Sequence, residues 1–151
     1  MLHRNYALAT VALASFVLAM TDAEASAQRT FVASYGNDAN VCSLTQPCRG
    51  FAAAITQTIS GGEVIALDSA GYGPVTITQS VSIIAPAGVY AGISTAQGVT
   101  IHAPNIKVAL RGLTINNTSA NGAGYGIYLE QGVELSVESC VISNFYSVSF
   151  G

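Results

Sequence analysis

The amino-acid sequence predicts an all-β protein: a parallel β-helix, or solenoid, with a short N-terminal capping helix. Three observations carry this. First, IKVALRGLTINN at Ile106–Asn117 returns position for position as VELSVESCVISN at Val133–Asn144. Second, apolar and polar residues alternate with period two within each copy, as in a strand with one apolar face. Third, looser copies recur every 21 to 28 residues or so, an interval at which repeats build solenoids.

The chain of 151 residues is long enough for one domain. Residues 1–27 read as a signal peptide. Arg4 and His3 lie in an acid-free start, Leu8–Met20 is apolar, and Ala25-Ser26-Ala27 supplies small residues for cleavage before Gln28. Ala23-Glu24-Ala25 offers a second cut. The apolar run is shorter than the roughly 20 residues of a membrane span. The expected location is therefore exported, periplasmic or extracellular, with no membrane association after cleavage.

After that cut Arg29, Arg49, Lys107 and Arg111 remain against Asp38, Glu63, Asp68, Glu130, Glu134 and Glu138, a net of −2. Without a basic patch, a nucleic-acid partner is not expected. Cys42 and Cys48 flank SLTQP, and export makes a short-range disulfide between them the expectation.

Residues 28–72 form the predicted cap segment. Thr30–Ser34 reads as a strand, Gly36-Asn37-Asp38 as a turn and Phe51–Ile59 as an amphipathic helix with Phe51, Ile55 and Ile59 on one face. Gly61-Gly62 is the expected helix stop, and Glu63–Asp68 the following strand. Such a helix can cover the open end of a solenoid core.

Residues 73–151 form the predicted rungs. Val75-Thr76-Ile77 and Val81-Ser82-Ile83 open the series, and Val99-Thr100-Ile101 aligns with Ile127-Tyr128-Leu129. Both long copies break step, at Arg111-Gly112 and Glu138-Ser139, which predicts a corner between two short strands. Asn117 and Asn144 close the copies and suit left-handed turn geometry. Stacking the copies sets Lys107 above Glu134 and Arg111 above Glu138. It also sets Leu110 above Val137, Leu113 above Cys140 and Ile115 above Ile142, so Cys140 is expected as a small core residue. The pattern restarts at Val148-Ser149-Phe150 without a polar cap, so the chain reads as an N-terminal piece of a longer protein or as one with an open, associating end.

The order of segments adds a resemblance. A strand, then GNDAN, PCRGF, an AAI helix, GGEVIAL and GYGPVTI, resembles the N-terminus of exported bacterial right-handed parallel β-helix repeat proteins of the pectin-lyase-like superfamily. The resemblance runs from Thr30 to about Asn144. It implies a right-handed coil. It implies activity only broadly, because the superfamily holds polysaccharide lyases and hydrolases beside members with no known activity.

Lyases of that fold use clustered acids to hold calcium and a base to abstract a proton; the hydrolases use paired or clustered Asp. Asp38 and Asp68 are the only Asp residues after the cut, and both lie near the cap. No D-x-D-x-D run supplies the six to eight or so oxygens that calcium wants. His102 reads as a surface residue with no adjoining acid. No catalytic, metal or cofactor residues are therefore expected. Gly122-x-Gly124-x-Gly126 lacks the Lys and helix of a phosphate loop and reads as a loop between strands. The sequon patterns at Asn116 and Asn117 read as coincidence. Tyr125 and Tyr128, with Tyr146, are the candidate sugar-stacking residues. The expected function is a non-catalytic binding surface for a polysaccharide or cell-envelope component, with end-to-end self-association as a further mode. The alternative is a polysaccharide lyase or glycoside hydrolase, whole or truncated.

Overall fold

A computed structural model describes residues 26–120 and 122–146. Most of the expected signal peptide, including Ala23–Ala25, and the expected restart at Val148–Phe150 lie outside the described residues.

In chain order the elements are β1 (Ala27–Val32), α1 (Phe51–Gln57), β2 (Thr58–Ala66), β3 (Ala70–Gly71), β4 (Val75–Ile77), β5 (Val81–Ile84) and β6 (Ala91–Ser94). They continue as β7 (Gln97–His102), β8 (Lys107–Arg111), β9 (Leu113–Asn116), β10 (Tyr125–Gln131), β11 (Glu134–Glu138) and β12 (Val141–Ser143). The described residues are all-β apart from α1, and the named strands pair in parallel. They form three open sheets, ordered β1-β2-β5-β8-β11, β10-β7-β4 and β12-β9-β6-β3. From β4 onward the chain visits these sheets in one cyclic order, three times over. That arrangement is compatible with a β-helix.

The long repeat sits in the expected register. Lys107 pairs with Glu134, Leu110 with Val137, Arg111 with Glu138 and Ile115 with Ile142. The corner between its strands is also where the pattern breaks. Gly112 has φ 71° and Ser139 φ 52°, both left-handed. A Cβ on Gly112 would lie 2.5 Å from the Ala85 carbonyl oxygen, so this corner admits no side chain without a shift. The ladder continues around it through Ala85 N–H to Arg111 O at 2.9 Å and Gly112 N–H to Glu138 O at 3.0 Å. Asn144 is left-handed, at φ 63°, as expected. Asn117 is not; it is buried and uses its side chain instead.

Inward residues stack as ladders: Val75 with Val99 and Ile127, Ile83 with Leu110 and Val137, Ile93 with Ile115 and Ile142. Each fully buried Ile or Leu contributes about 1.5–3 kcal/mol. Burial fades toward the last copy, where Leu129, Val137 and Ile142 are exposed. Cys140 belongs to that copy. It packs against the core but is only half-buried, because no further strand covers it among the described residues.

The cap segment departs from expectation at its seams. β1 begins at Ala27, the residue before the expected cut, and its pairing becomes regular from Arg29 opposite Glu63. The helix stops at Gln57 rather than Ile59, and β2 starts at Thr58 rather than Glu63. Thr58 explains the early exit. Its buried hydroxyl donates to Ala54 O at 2.7 Å and lies 2.7 Å from the Thr30 hydroxyl, which pulls the backbone onto β1. Gly61-Gly62 therefore lies inside the strand and does not end the helix. Gly61, at φ 84°, makes a kink whose N–H reaches Ser80 O at 2.7 Å. Ile59 consequently misses the helix face and is exposed, while Phe51, Ala54 and Ile55 are buried. The Cys42–Cys48 disulfide is formed. Its loop lies along the outer edge of β1, with Phe31 N–H to Cys42 O at 2.8 Å and Cys48 N–H to Phe31 O at 2.9 Å. The bond fits a protein outside the cytoplasm. No helix among the described residues is long and apolar enough to cross a membrane.

Candidate functional site: an uncharged groove beside a tyrosine pair

Strict alternation would send Gln97 inward with Val99, and Tyr125 inward with Ile127. Both strands avoid this with a glycine. Gly98 and Val99 are both buried, so Gln97 and Thr100 both face outward. Gly126 does the same in β10, leaving Tyr125 and Tyr128 on the outer face. Neither glycine has space for a side chain. A Cβ on Gly98 would lie 2.2 Å from Gly126 O and 2.7 Å from Ile115 Cγ2; one on Gly126 would lie 2.5 Å from Ile142 Cγ2.

The sheet then aligns what the glycines expose. Gln97 pairs with Tyr125, and Thr76, Thr100 and Tyr128 form one row across β4, β7 and β10. The two tyrosine rings stand 5.0 Å apart at 40°, within the tilted geometry aromatic pairs favour. The Tyr125 hydroxyl lies 3.1 Å from the Thr100 hydroxyl. The expected tyrosine pair is thus assembled, with Tyr128 46% exposed. Tyr146 is exposed too, but its ring packs on Gly122.

Beside the pair lies a groove of about 410 Å³. Ala52, Ile55 and Thr56 of α1 form its wall, and Thr76, Gln97 and Thr100 are part of its floor. Gln79 ties floor to wall, donating to Ile55 O at 3.2 Å and Thr58 O at 2.7 Å. Among the described residues, no charged side chain lines this groove. Another groove, of about 450 Å³, crosses the sheet of β5, β8 and β11. Its charges are paired with one another: Lys107 with Glu134 at 3.0 Å and Arg111 with Glu138 at 3.1 Å.

His102 changes status. Sequence gave it no acid partner, yet register brings Glu130 Oε2 within 2.7 Å of its Nδ1. The two are 28 residues apart, and only the β7–β10 pairing joins them. The pair is solvent-exposed, beyond Tyr128 on the same face.

Asp38 and Asp68 act on the backbone of the cap. Asp38 accepts from Arg49 N–H at 2.7 Å and Gly50 N–H at 2.8 Å, just ahead of α1. Asp68 accepts from Ser34 N–H at 2.8 Å, from the Ser34 hydroxyl and from the Tyr72 hydroxyl at 2.5 Å. The Ser34 hydroxyl, then the Tyr72 hydroxyl, hold the Asp68 carboxyl below its ordinary range. Burial, with the Asp68 hydrogen bond second, pushes the Tyr72 phenol above its ordinary value. Among the described residues no three His, Cys, Asp or Glu side chains gather as metal ligands would.

The glycine-rich loop is held from one side by Asn117. Its Nδ2 donates to Gly122 O at 2.7 Å and Ala123 O at 3.0 Å, while its Oδ1 accepts from Ser119 N–H at 2.8 Å. That buried amide serves the loop.

No protein-family model, curated protein or solved structure matches this chain.

Proposed function

We propose that the chain is an exported right-handed parallel β-helix domain of the pectin-lyase-like superfamily that binds a glycan or another cell-envelope component without catalysis. Its binding face is the outer surface of β4, β7 and β10. The observation carrying this reading is the continuity of the hydroxyl- and amide-lined groove with the Tyr125–Tyr128 pair. Hydroxyls and amides offer both donors and acceptors to sugar hydroxyls, and a half-exposed tyrosine offers an apolar ring face with a polar edge. The cyclic order of the sheets and the Cys42–Cys48 bond support the β-helix and export parts. The use of Asp38 and Asp68 on backbone groups weighs against the lyase or hydrolase alternative.

A glycan array probed with the protein, followed by titration of its hits, tests the reading. Binding that weakens in Tyr128→Ala is the expected result. An array without hits defeats the glycan part, and unsaturated products or new reducing ends from a polysaccharide would establish the enzyme instead.

A further inference from the structure

We infer that the ligand of the β4–β7–β10 face is an uncharged, extended hexose polymer lying across the three strands. This rests on the glycan-binding reading above and names the class of glycan. Three features of the face point to it.

The first is charge. Among the described residues, the groove and the tyrosine pair contain no charged side chain. A uronate polymer would bring one carboxylate per sugar to a surface with no cation to receive it, and partial desolvation of those carboxylates is unfavourable. Lys107 and Arg111 lie on a different sheet and are already paired. The ionisable residues nearest along β7 and β10, His102 and Glu130, face each other.

The second is spacing. Thr76, Thr100 and Tyr128 stand in one row, one per strand. Parallel strands lie about 4.8 Å apart, close to the advance per sugar of an extended hexose chain. A chain running across the strands therefore meets an equivalent outward position at each sugar.

The third is the order of groups along that row. Tyr128 and Tyr125 form the aromatic end, Thr100 and Gln97 the middle, and Thr76 the end beside the α1 wall. One sugar can stack on a ring while the next two meet hydroxyl and amide groups. The wall at Ala52 and Thr56 borders the row at its β4 end.

Calorimetric titration of the whole protein with neutral hexose oligomers of increasing length, and with oligogalacturonates, tests this. Neutral oligomers are expected to bind, with affinity rising to about three sugars, one per strand. Tyr128→Ala should weaken binding about tenfold, the worth of one aromatic contact. Thr76→Arg should weaken the trimer and spare the dimer, because it blocks only the far end of the row. Both side chains are exposed, so the fold tolerates the changes. Preference for oligogalacturonates would overturn the inference and leave glycan binding standing. Neutral binding that is indifferent to Tyr128→Ala would place the ligand elsewhere and overturn it as well. Failure of every oligosaccharide to bind would defeat the glycan reading itself.

Discussion

Single residues set both the shape of the groove face and the pH range of the cap. Gly98 is the sharpest case. The space for its Cβ is taken by backbone oxygen, which cannot rotate away as a side chain can. Gly98→Ala should therefore destabilise by about 1–3 kcal/mol, as overpacked positions do. Chemical denaturation against the unaltered protein would read this, and an unchanged midpoint would show that the strands can part at no cost. Tyr72 and Asp68 share one hydrogen bond and give two pH effects. The lowered carboxyl of Asp68 contributes stability above the ordinary Asp range, near 3.9, and loses it as pH falls through the lower folded value. The raised phenol of Tyr72 contributes below about pH 10 and loses it as pH climbs toward the higher folded value. Tyr72→Phe should cost about 0.5–1.5 kcal/mol at neutral pH and flatten the alkaline limb of a stability–pH curve. An unaltered alkaline limb would assign that limb to another group.

At the scale of elements, ion pairs and a disulfide act as fasteners of different strength. Lys107–Glu134 and Arg111–Glu138 are exposed, so each is worth about 1 kcal/mol or less. Their effect is on register. A one-residue slip of β11 against β8 would turn Glu134 and Glu138 inward. Lys107→Glu should lower stability by up to about 1 kcal/mol, and adding Glu134→Lys should recover it at low salt. Loss without recovery in the double variant would mean that the lysine stem, not its charge, matters. The disulfide closes a short loop, for which the chain-entropy view gives about 2 kcal/mol. Reduction should lower the melting temperature by several degrees, read by calorimetry with and without reductant. The same loop pairs with the outer edge of β1, so reduction should also increase amide exchange at Phe31 and Ala33.

Across the whole molecule, burial is uneven. Among the described residues, the ladders through β4–β9 are closed, whereas the inward residues of β10–β12 are covered on one side only. Ile115→Ala, in the middle of a ladder, should cost about 2–5 kcal/mol. Ile142→Ala, at the exposed end of that ladder, should cost much less in the monomer. If the two cost the same, as measured by denaturation at low protein concentration, something must cover the β12 edge in solution. Sedimentation over a concentration series would then detect self-association as that cover.

The sequence by itself determined strands, register and corners in the repeat. Alternation, charge pairing and the Arg111-Gly112 and Glu138-Ser139 breaks are local patterns repeated along the chain, and each copy constrains the next. It also placed Tyr128 outward, because Tyr128 aligns with the outward Thr100, whereas Tyr125 reaches the same face only because Gly126 breaks the alternation. The end of α1 and the start of β2 were not legible, because Thr58 leaves the helix for a hydroxyl contact with Thr30, far away in sequence. The His102–Glu130 pair and the structural use of Asp38 and Asp68 were hidden for the same reason. The groove belongs wholly to the tertiary structure. Its wall comes from α1 and its floor from β4 and β7, elements that meet only when the chain folds back on itself. Local periodicity encodes which face of a strand is apolar, whereas long-range packing decides which outward faces come together as a site.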